Sequence, residues 1–400
     1  MSGGARAAHV VYPPALVVRT EGGPLERGRQ YGAAAKERVQ ASLTAYEEVY
    51  AKFAGLTWSG ARALAESFLP ALERFEAVHL AADGPRAGAG YLAEMRGVAE
   101  GAGVSFEDVL ALNLRTEILF SGKARKIAAA RGAGAGRPPA ECTSFCDLRG
   151  AEPIVGQNWD WIPFSHDTVV VLESVPDRGP RWVSVVEAGL LAKFGMNAAG
   201  VTVLTNALVT SRDVGAVGVP YHLMLRALLD SPSVEEGLAL LDRVERSSSA
   251  NYLLVGDGRA VDAETRPGGR AEVHRTPVER GQYLVHANHF HGGDAEFGSV
   301  AEDLGPRVMP DSPFRRARGE QTAELMPEPS VAGWHEVLSD HENFPDSLCC
   351  HPNAAEHVLE QGSTVASAIF LPERQEMHLA LGHPCTVPRV AYAYAEFFAE

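Results

Sequence analysis

No run of apolar residues in this 400-residue chain approaches the length of about 20 that a membrane-spanning helix needs, so a membrane partner is not expected. The start, from Met1 to Gly23, mixes Arg, Pro and Gly without a sustained apolar stretch and does not read as a secretory signal. Positive charge is scarce: 36 Lys and Arg stand against 51 Asp and Glu, a formal net charge of −15. That balance opposes nucleic-acid binding, whose affinity comes largely from neutralising phosphates with a basic surface. Cysteine is scarce as well. The five, Cys142, Cys146, Cys349, Cys350 and Cys385, are an odd set with no spaced CxxC pair, which fits reduced thiols better than a disulfide framework or a zinc ribbon. These absences point to the cytoplasm and to small-molecule chemistry. No GxSxG elbow surrounds Ser144 or Ser247 to Ser249, which argues against a serine hydrolase, and no internal repeat is found.

What is present suits a large folded enzyme. The chain is 46% apolar and 22% charged, ample for a sizeable core, although its length alone leaves the domain count open. From Gly28 to Leu80 apolar residues recur at three- and four-residue intervals, as in amphipathic helices, with an interruption expected at Pro70. Two more helices are expected between Tyr91 and Ile118, separated by Gly101-Ala102-Gly103, with Ser105 as an N-cap. Ser121 to Ala140 is small, basic and rich in Gly and Pro, and reads as an exposed, mobile connector. Beyond it short apolar segments suggest strands: Ile154 to Trp159, Thr168 to Val175, Trp182 to Glu187, Gly200 to Leu208, Tyr252 to Val255, Ala260 to Thr265 and Tyr283 to Ala287. Helices are expected at Tyr221 to Leu229, Val234 to Val244 and Arg316 to Leu325, then strands at Val365 to Leu371, Met377 to Leu381 and Arg389 to Tyr394. The pattern is α+β, a mainly helical first part followed by layered sheet.

The segment Glu141-Cys142-Thr143-Ser144-Phe145-Cys146 follows the connector directly, and Gly156-Gln157-Asn158-Trp159-Asp160-Trp161 follows at a strand end. If the Glu141-Cys142 bond breaks, Cys142 gains an α-amino group with an ordinary pKa of about 7.7–8.0, close enough to neutrality to act as a base. One residue then supplies both thiol and base. On these residues alone, a buried structural cysteine and a nucleophile are both open readings.

CTSF followed by GQNWDW resembles the signature of the acyl-coenzyme A:6-aminopenicillanic acid acyltransferase family, the autoproteolytic cysteine branch of the N-terminal-nucleophile hydrolases, related to the choloylglycine hydrolases. The likeness extends to Gly28 to Gly32, AEGAGVSFEDVLALNLRTEI, GVTVLTNAL, NYLLVGDG, HANHF, TVASAIF and LGHP. It implies a four-layer αββα sandwich, a helical first chain of residues 1–141 and a second chain of 142–400 that opens on the nucleophile, the two staying associated as one unit. Carried over residue by residue, it implies Cys142 as nucleophile, Asp160 as the carboxylate that orients the new α-amino group, and Asn288 as an oxyanion donor. Asn206 takes a second asparagine position, with Thr143, Trp159 and Trp161 as surrounding support. The chain departs from the family twice: Glu141 stands where Gly commonly precedes the nucleophile, and Cys350, in SLCCHP, stands where an Arg is common, with Arg315 or Arg316 as replacements from elsewhere. The implied activity is an autoproteolytically activated amidohydrolase or acyltransferase acting on a small N-acyl amine or a thioester, without metal or organic cofactor. An acyl-CoA-dependent amine N-acyltransferase and an uncleaved scaffold protein of the same fold are the alternatives, and homo-oligomerisation stays open.

Several groups have plainer readings. His286, His289 and His291, with Asp294, could suggest a metal site, but the resemblance accounts for the cluster without one. Adjacent Cys349 and Cys350 cannot easily ligate one tetrahedral ion together, so both read as structural thiols. Trp159 and Trp161 suit either an acyl pocket or the core. Arg115 and Glu117 are expected to form a buried ion pair.

Overall fold

The computed structural model describes residues 15–80, 89–120, 142–292 and 300–399. The first part is helical as expected. Helix α1 (Pro24–Ala34) opens with Pro near its first position, where the missing N–H would be unsatisfied in any case. It lies against α5 (Tyr91–Ala102) at a separation that only glycine permits: a Cβ on Gly28 or Gly32 would meet the α5 backbone at 2.1 Å, and Gly97 and Gly101 are bound in the same way to α1. Between them run α2 (Lys36–Val49), α3 (Trp58–Glu66) and α4 (Leu69–His79). The break expected at Pro70 falls just before it, and Pro70 sits in the first turn of α4. Ser105 caps α6 (Phe106–Asn113) in a reciprocal box with Asp108, and a further helix, α7, covers 115–120.

One element departs from the helical expectation. Leu16–Gly22 is a strand, β1, and pairs in parallel with β4 (Val169–Pro176). The segment before the connector therefore contributes an edge to the main sheet. That sheet continues through β5 (Trp182–Glu187), β6 (Phe194–Asn197), β7 (Thr202–Ala207), β8 (Ala250–Gly256), β9 (Arg259–Thr265) and β10 (Val273–Val278), all antiparallel. The second sheet runs β11 (Tyr283–His286), β2 (Cys142–Asp147), β3 (Ile154–Trp161), β12 (Ser363–Leu371), β13 (Glu376–Leu381) and β14 (Val390–Ala393).

The sheets are stacked, with β2 packing on β7. Helices α8 (Tyr221–Leu229) and α9 (Val234–Arg243), together with α1, cover the first sheet, and α10 (Ser312–Glu324) and α11 (Val331–Leu338) cover the second. This is the four-layer αββα sandwich. Its central strands are buried on both faces, so they lack the apolar-polar alternation of a half-exposed strand. The period of two instead separates two interiors. On β3, Val155, Trp159 and Trp161 join the core between the sheets, while Ile154 joins a second core under α10 and α11. Buried polar side chains on this strand are used to tie layers together: Gln157 Oε1 accepts from Thr205 N at 2.9 Å, and Asn158 Nδ2 donates to Leu338 O and Leu348 O, both at 2.8 Å. Among the described residues, no helix is long and apolar enough to cross a membrane.

Candidate active site

Cys142 is the first residue of β2, fully buried, and opposite Trp159 on β3. Its main chain is gripped from two layers. The Cys142 N–H donates to Asn288 Oδ1 at 3.1 Å. Its carbonyl oxygen accepts from Asn206 Nδ2 at 2.9 Å and from Arg315 Nη1 at 2.9 Å. Asn206 comes from β7, across the inter-sheet space, and also donates to His286 O at 3.4 Å while its Oδ1 accepts from Ser144 Oγ at 2.6 Å. Asn288 lies just beyond β11, donates through Nδ2 to Ala207 O at 3.0 Å, and is itself held by its N–H on Ser312 Oγ at 2.7 Å. Strand β7, the stretch just beyond β11 and the start of α10 thus converge on the two peptide units that flank the Cys142 α-carbon.

Arg315 is the residue that sequence reasoning placed least firmly. It reaches in from the first turns of α10 and is fully buried. Besides Cys142 O it donates to Thr143 Oγ1 at 2.8 Å, Asn288 Oδ1 at 2.8 Å and Asp311 Oδ2 at 2.7 Å. Burial works against its charge, but Asp311 and Asp160 outweigh it and hold the guanidinium pKa above its ordinary value. Arg316 pairs with Glu320 instead and is partly exposed. The Asp311 to Arg315 spacing, four residues apart on one helical face, was the available sequence signal.

Asp160 follows the Cys142–Trp159 pair and points to the face of β3 that carries Asn158, opposite the face shared by Cys142 and Trp159. Its Oδ1 accepts from Thr364 Oγ1 at 2.5 Å, and that same Thr364 oxygen accepts from Cys350 N at 2.9 Å. Its charge is felt by Arg315 and by Cys350. Burial, then the charge of Asp160, pushes the Cys350 thiol well above its ordinary pKa. Burial does the same to Cys146. Both are therefore inert thiols.

The two tryptophans separate. Trp159 is core, its ring against Phe194 and 4.9 Å from Lys193 Nζ. Trp161, whose Nε1 donates to Tyr46 at 2.9 Å, lines a narrow crevice with Arg115, Lys193, Ala207 and Tyr221. Glu141 and Asp294 lie outside the described residues. The buried ion pair of Arg115 is a correction: its partner is Glu187 on β5, with Tyr46, while Glu117 accepts from Tyr221 N, Ser247 and Ser248. Positions two apart on a helix do not share a face. Ser247 and Ser248 are thereby accounted for as hydrogen-bond donors, and Ser249 donates to Asp213 at 2.6 Å. In the histidine cluster, His286 meets Glu264 at 3.0 Å, His289 meets Ser312 at 2.8 Å, and His291 stacks on His286 with centroids 4.0 Å apart.

A layered αββα fold whose central sheet opens a strand on a clamped cysteine is the architecture expected of N-terminal-nucleophile hydrolases. The family described as acyl-coenzyme A:6-aminopenicillanic acid acyl-transferase matches residues 148–385, more than half of the chain, and the chain belongs to that family. The match begins after Cys142, so the reading of that residue rests on its own surroundings. The chain is 26% identical over 371 residues to the acyl-coenzyme A:6-aminopenicillanic-acid-acyltransferase 40 kDa form of Emericella nidulans, which covers 92% of this chain and 93% of that protein. It is 28% identical over 198 residues to an uncharacterized protein of Archaeoglobus fulgidus, covering 47% of this chain and 32% of that one. Solved structures with some likeness include a mutant of the conjugated bile acid hydrolase from Clostridium perfringens, at TM-score 0.42 and 12% identity, covering 64% of this chain and 98% of that one. Penicillin V acylase from Agrobacterium tumefaciens is similar at TM-score 0.36 and 14% identity, over 60% and 83% of the two chains.

Proposed function

We propose that this chain is a precursor that cleaves itself between Glu141 and Cys142 and then acts as a cysteine amidohydrolase or acyltransferase on a small N-acyl amine. The observation that carries this reading is the clamp on Cys142: nitrogen and carbonyl of one buried residue are each held by side chains from different layers. A structural cysteine needs packing, but a residue whose peptide bond must break needs its backbone fixed.

In the first step Cys142 Sγ attacks the carbonyl carbon of Glu141. The C–N bond breaks as the nitrogen takes the thiol proton, and a thioester forms. Water then attacks the thioester, releasing the Glu141 carboxylate and a free Cys142 with its α-amino group. Asn288 Oδ1, already the acceptor for this nitrogen, orients the amine so that its lone pair faces the thiol. In turnover the amine takes the thiol proton, and the thiolate attacks the substrate carbonyl. The second N–H of the Asn288 amide, beside the one used on Ala207 O, supplies an oxyanion donor. The ammonium returns its proton to the leaving amine, and water or a second amine accepts the acyl group. Asp160 acts through Arg315 and Thr364, and Asn206 holds the carbonyl of Cys142 while the bond before it reacts.

Association of the product chains 1–141 and 142–400 is supported by β1, which stays hydrogen-bonded to β4, and by one core that holds Val39, Leu112, Trp161 and Val186 together. Intact-mass spectrometry of purified protein tests the reading. Wild type should give two fragments broken before Cys142, and Cys142→Ala one full-length chain; an intact wild-type chain that still turns over acyl amides would overturn it. The likeness to an acyltransferase favours a second outcome for the acyl-enzyme. Supplying acyl amides with and without an acceptor amine separates the two, since exclusive release of free acid excludes dominant transfer.

A further inference from the structure

Four side chains outside the Cys142 centre converge on a single point. His341 and His351 face each other with Nε2 atoms 3.1 Å apart. Cys349 Sγ lies 3.4 Å and Cys385 Sγ 3.5 Å from His351 Nε2, and the two sulfurs are 3.6 Å apart. All four donor atoms lie within 4.8 Å of one another. Hydrogen bonding does not explain this arrangement. A ring nitrogen has one in-plane direction, as donor or as acceptor, yet three heteroatoms surround His351 Nε2. A disulfide does not explain it either, since bonded sulfurs would stand about 2.05 Å apart.

The four separations given lie close to the edges of a coordination tetrahedron. With Zn–S of about 2.3 Å and Zn–N of about 2.0–2.1 Å, such a tetrahedron has edges of about 3.8 Å between sulfurs, about 3.6 Å between sulfur and nitrogen, and about 3.4 Å between nitrogens. We propose that His341, Cys349, His351 and Cys385 bind one zinc ion in a closed, structural Cys2His2 site. Two thiolates and two neutral imidazoles balance the ion's charge, and mixed sulfur and nitrogen donors in a tetrahedron select zinc over hard cations. Cys350 takes no part: its sulfur is not among the converging donors, and the charges that act on it are those of Asp160, Asp311, Asp346 and Arg315.

The ion staples two loops. His341, Cys349 and His351 lie between α11 and β12, and Cys385 lies between β13 and β14. Cys350, held between two ligands, exchanges both of its backbone hydrogen bonds with Thr364, whose hydroxyl donates to Asp160. Zinc therefore braces the loop behind the Asp160 and Arg315 network. This does not depend on the chemistry proposed for Cys142.

Metal analysis of the full-length protein, purified under reducing conditions without chelator, tests the site. About one zinc per chain is expected, bound as purified or taken up from a stoichiometric supply. Cys385→Ser and His341→Ala should lower that content to about a tenth or less. Where a variant does not fold, wild type itself is titrated with a thiol-blocking mercurial, and zinc should be released in step with two thiols. Cobalt put in place of zinc should give the visible bands of a tetrahedral ion with thiolate charge transfer, lost in Cys385→Ser. Wild type that neither carries nor takes up zinc, undiminished zinc in folded Cys385→Ser, or a Cys349–Cys385 disulfide in metal-free protein would each overturn the proposal.

Discussion

The fold gathers sulfur in two places, and what surrounds each sulfur differs. Around Cys142 stand two amides and a guanidinium, which hold the backbone of one residue in the middle of the sandwich. Around Cys385 stand a second, buried thiol and two imidazoles, with four side-chain donor atoms gathered at one point. On the proposed readings, the centre for bond-making fixes the atoms beside its nucleophile and the centre for coordination collects donors. Cys146 and Cys350 belong to neither: neither sulfur is among the converging donors, and burial raises the pKa of both thiols.

The comparison breaks first at Cys142, the proposed nucleophile. Cys142→Ala should leave a single full-length chain and reduce turnover by roughly 10⁴–10⁶-fold, as loss of a covalent nucleophile does. Gel electrophoresis and acyl-amide hydrolysis read the two effects. Next in size is Arg315→Met, which leaves Asp311 and the Asn288 carbonyl without their shared cation in the interior. A loss of about 3–5 kcal/mol is expected. Urea unfolding should be compared within the Cys142→Ala background, so that both proteins are single chains. Arg315→Lys should recover only part, because one ammonium cannot span Cys142 O, Thr143, Asn288 and Asp311 together.

Much of this was legible in the sequence, for reasons that can be named. Residues close in the chain announce themselves: the Ser105 cap, the break at Pro70, the apolar texture of β3, β5 and β8, and the CTSF and GQNWDW segments. Gly28 and Gly32 could be seen as a pair, but their partners Gly97 and Gly101 could not, since nothing local says which helix comes near. Arg315 could be named only as one of two substitutes, and the donors His341 and Cys385 stayed hidden, because their meaning lies in a distant partner. The adjacency of Cys349 and Cys350 led both to be read as structural thiols, and nothing local said that Cys349 would meet Cys385 across 36 positions. β1 was missed because an edge strand ahead of a helical region carries no turn or hairpin signal of its own.

A smaller effect sharpens the contrast through pH. His166 bridges the regions: its Nε2 lies 2.8 Å from Ser363 Oγ, on the strand that follows the sulfur-rich loop. Burial lowers its pKa to about 4, so the folded protein keeps the ring neutral. The unfolded chain, near the ordinary value of 6.5, binds the proton more readily between those two pKa values. The unfolded state then carries more protons, and stability rises with pH across this window. Acidification from about pH 6.5 to about pH 4 should therefore cost up to about 3 kcal/mol from this residue alone. His166→Gln, which keeps a side-chain amide for Ser363 and has no proton to take up, should flatten that part of the curve. Urea midpoints measured from pH 4 to 7 on both proteins decide it; parallel curves would mean that the acid sensitivity of this rim resides in another group.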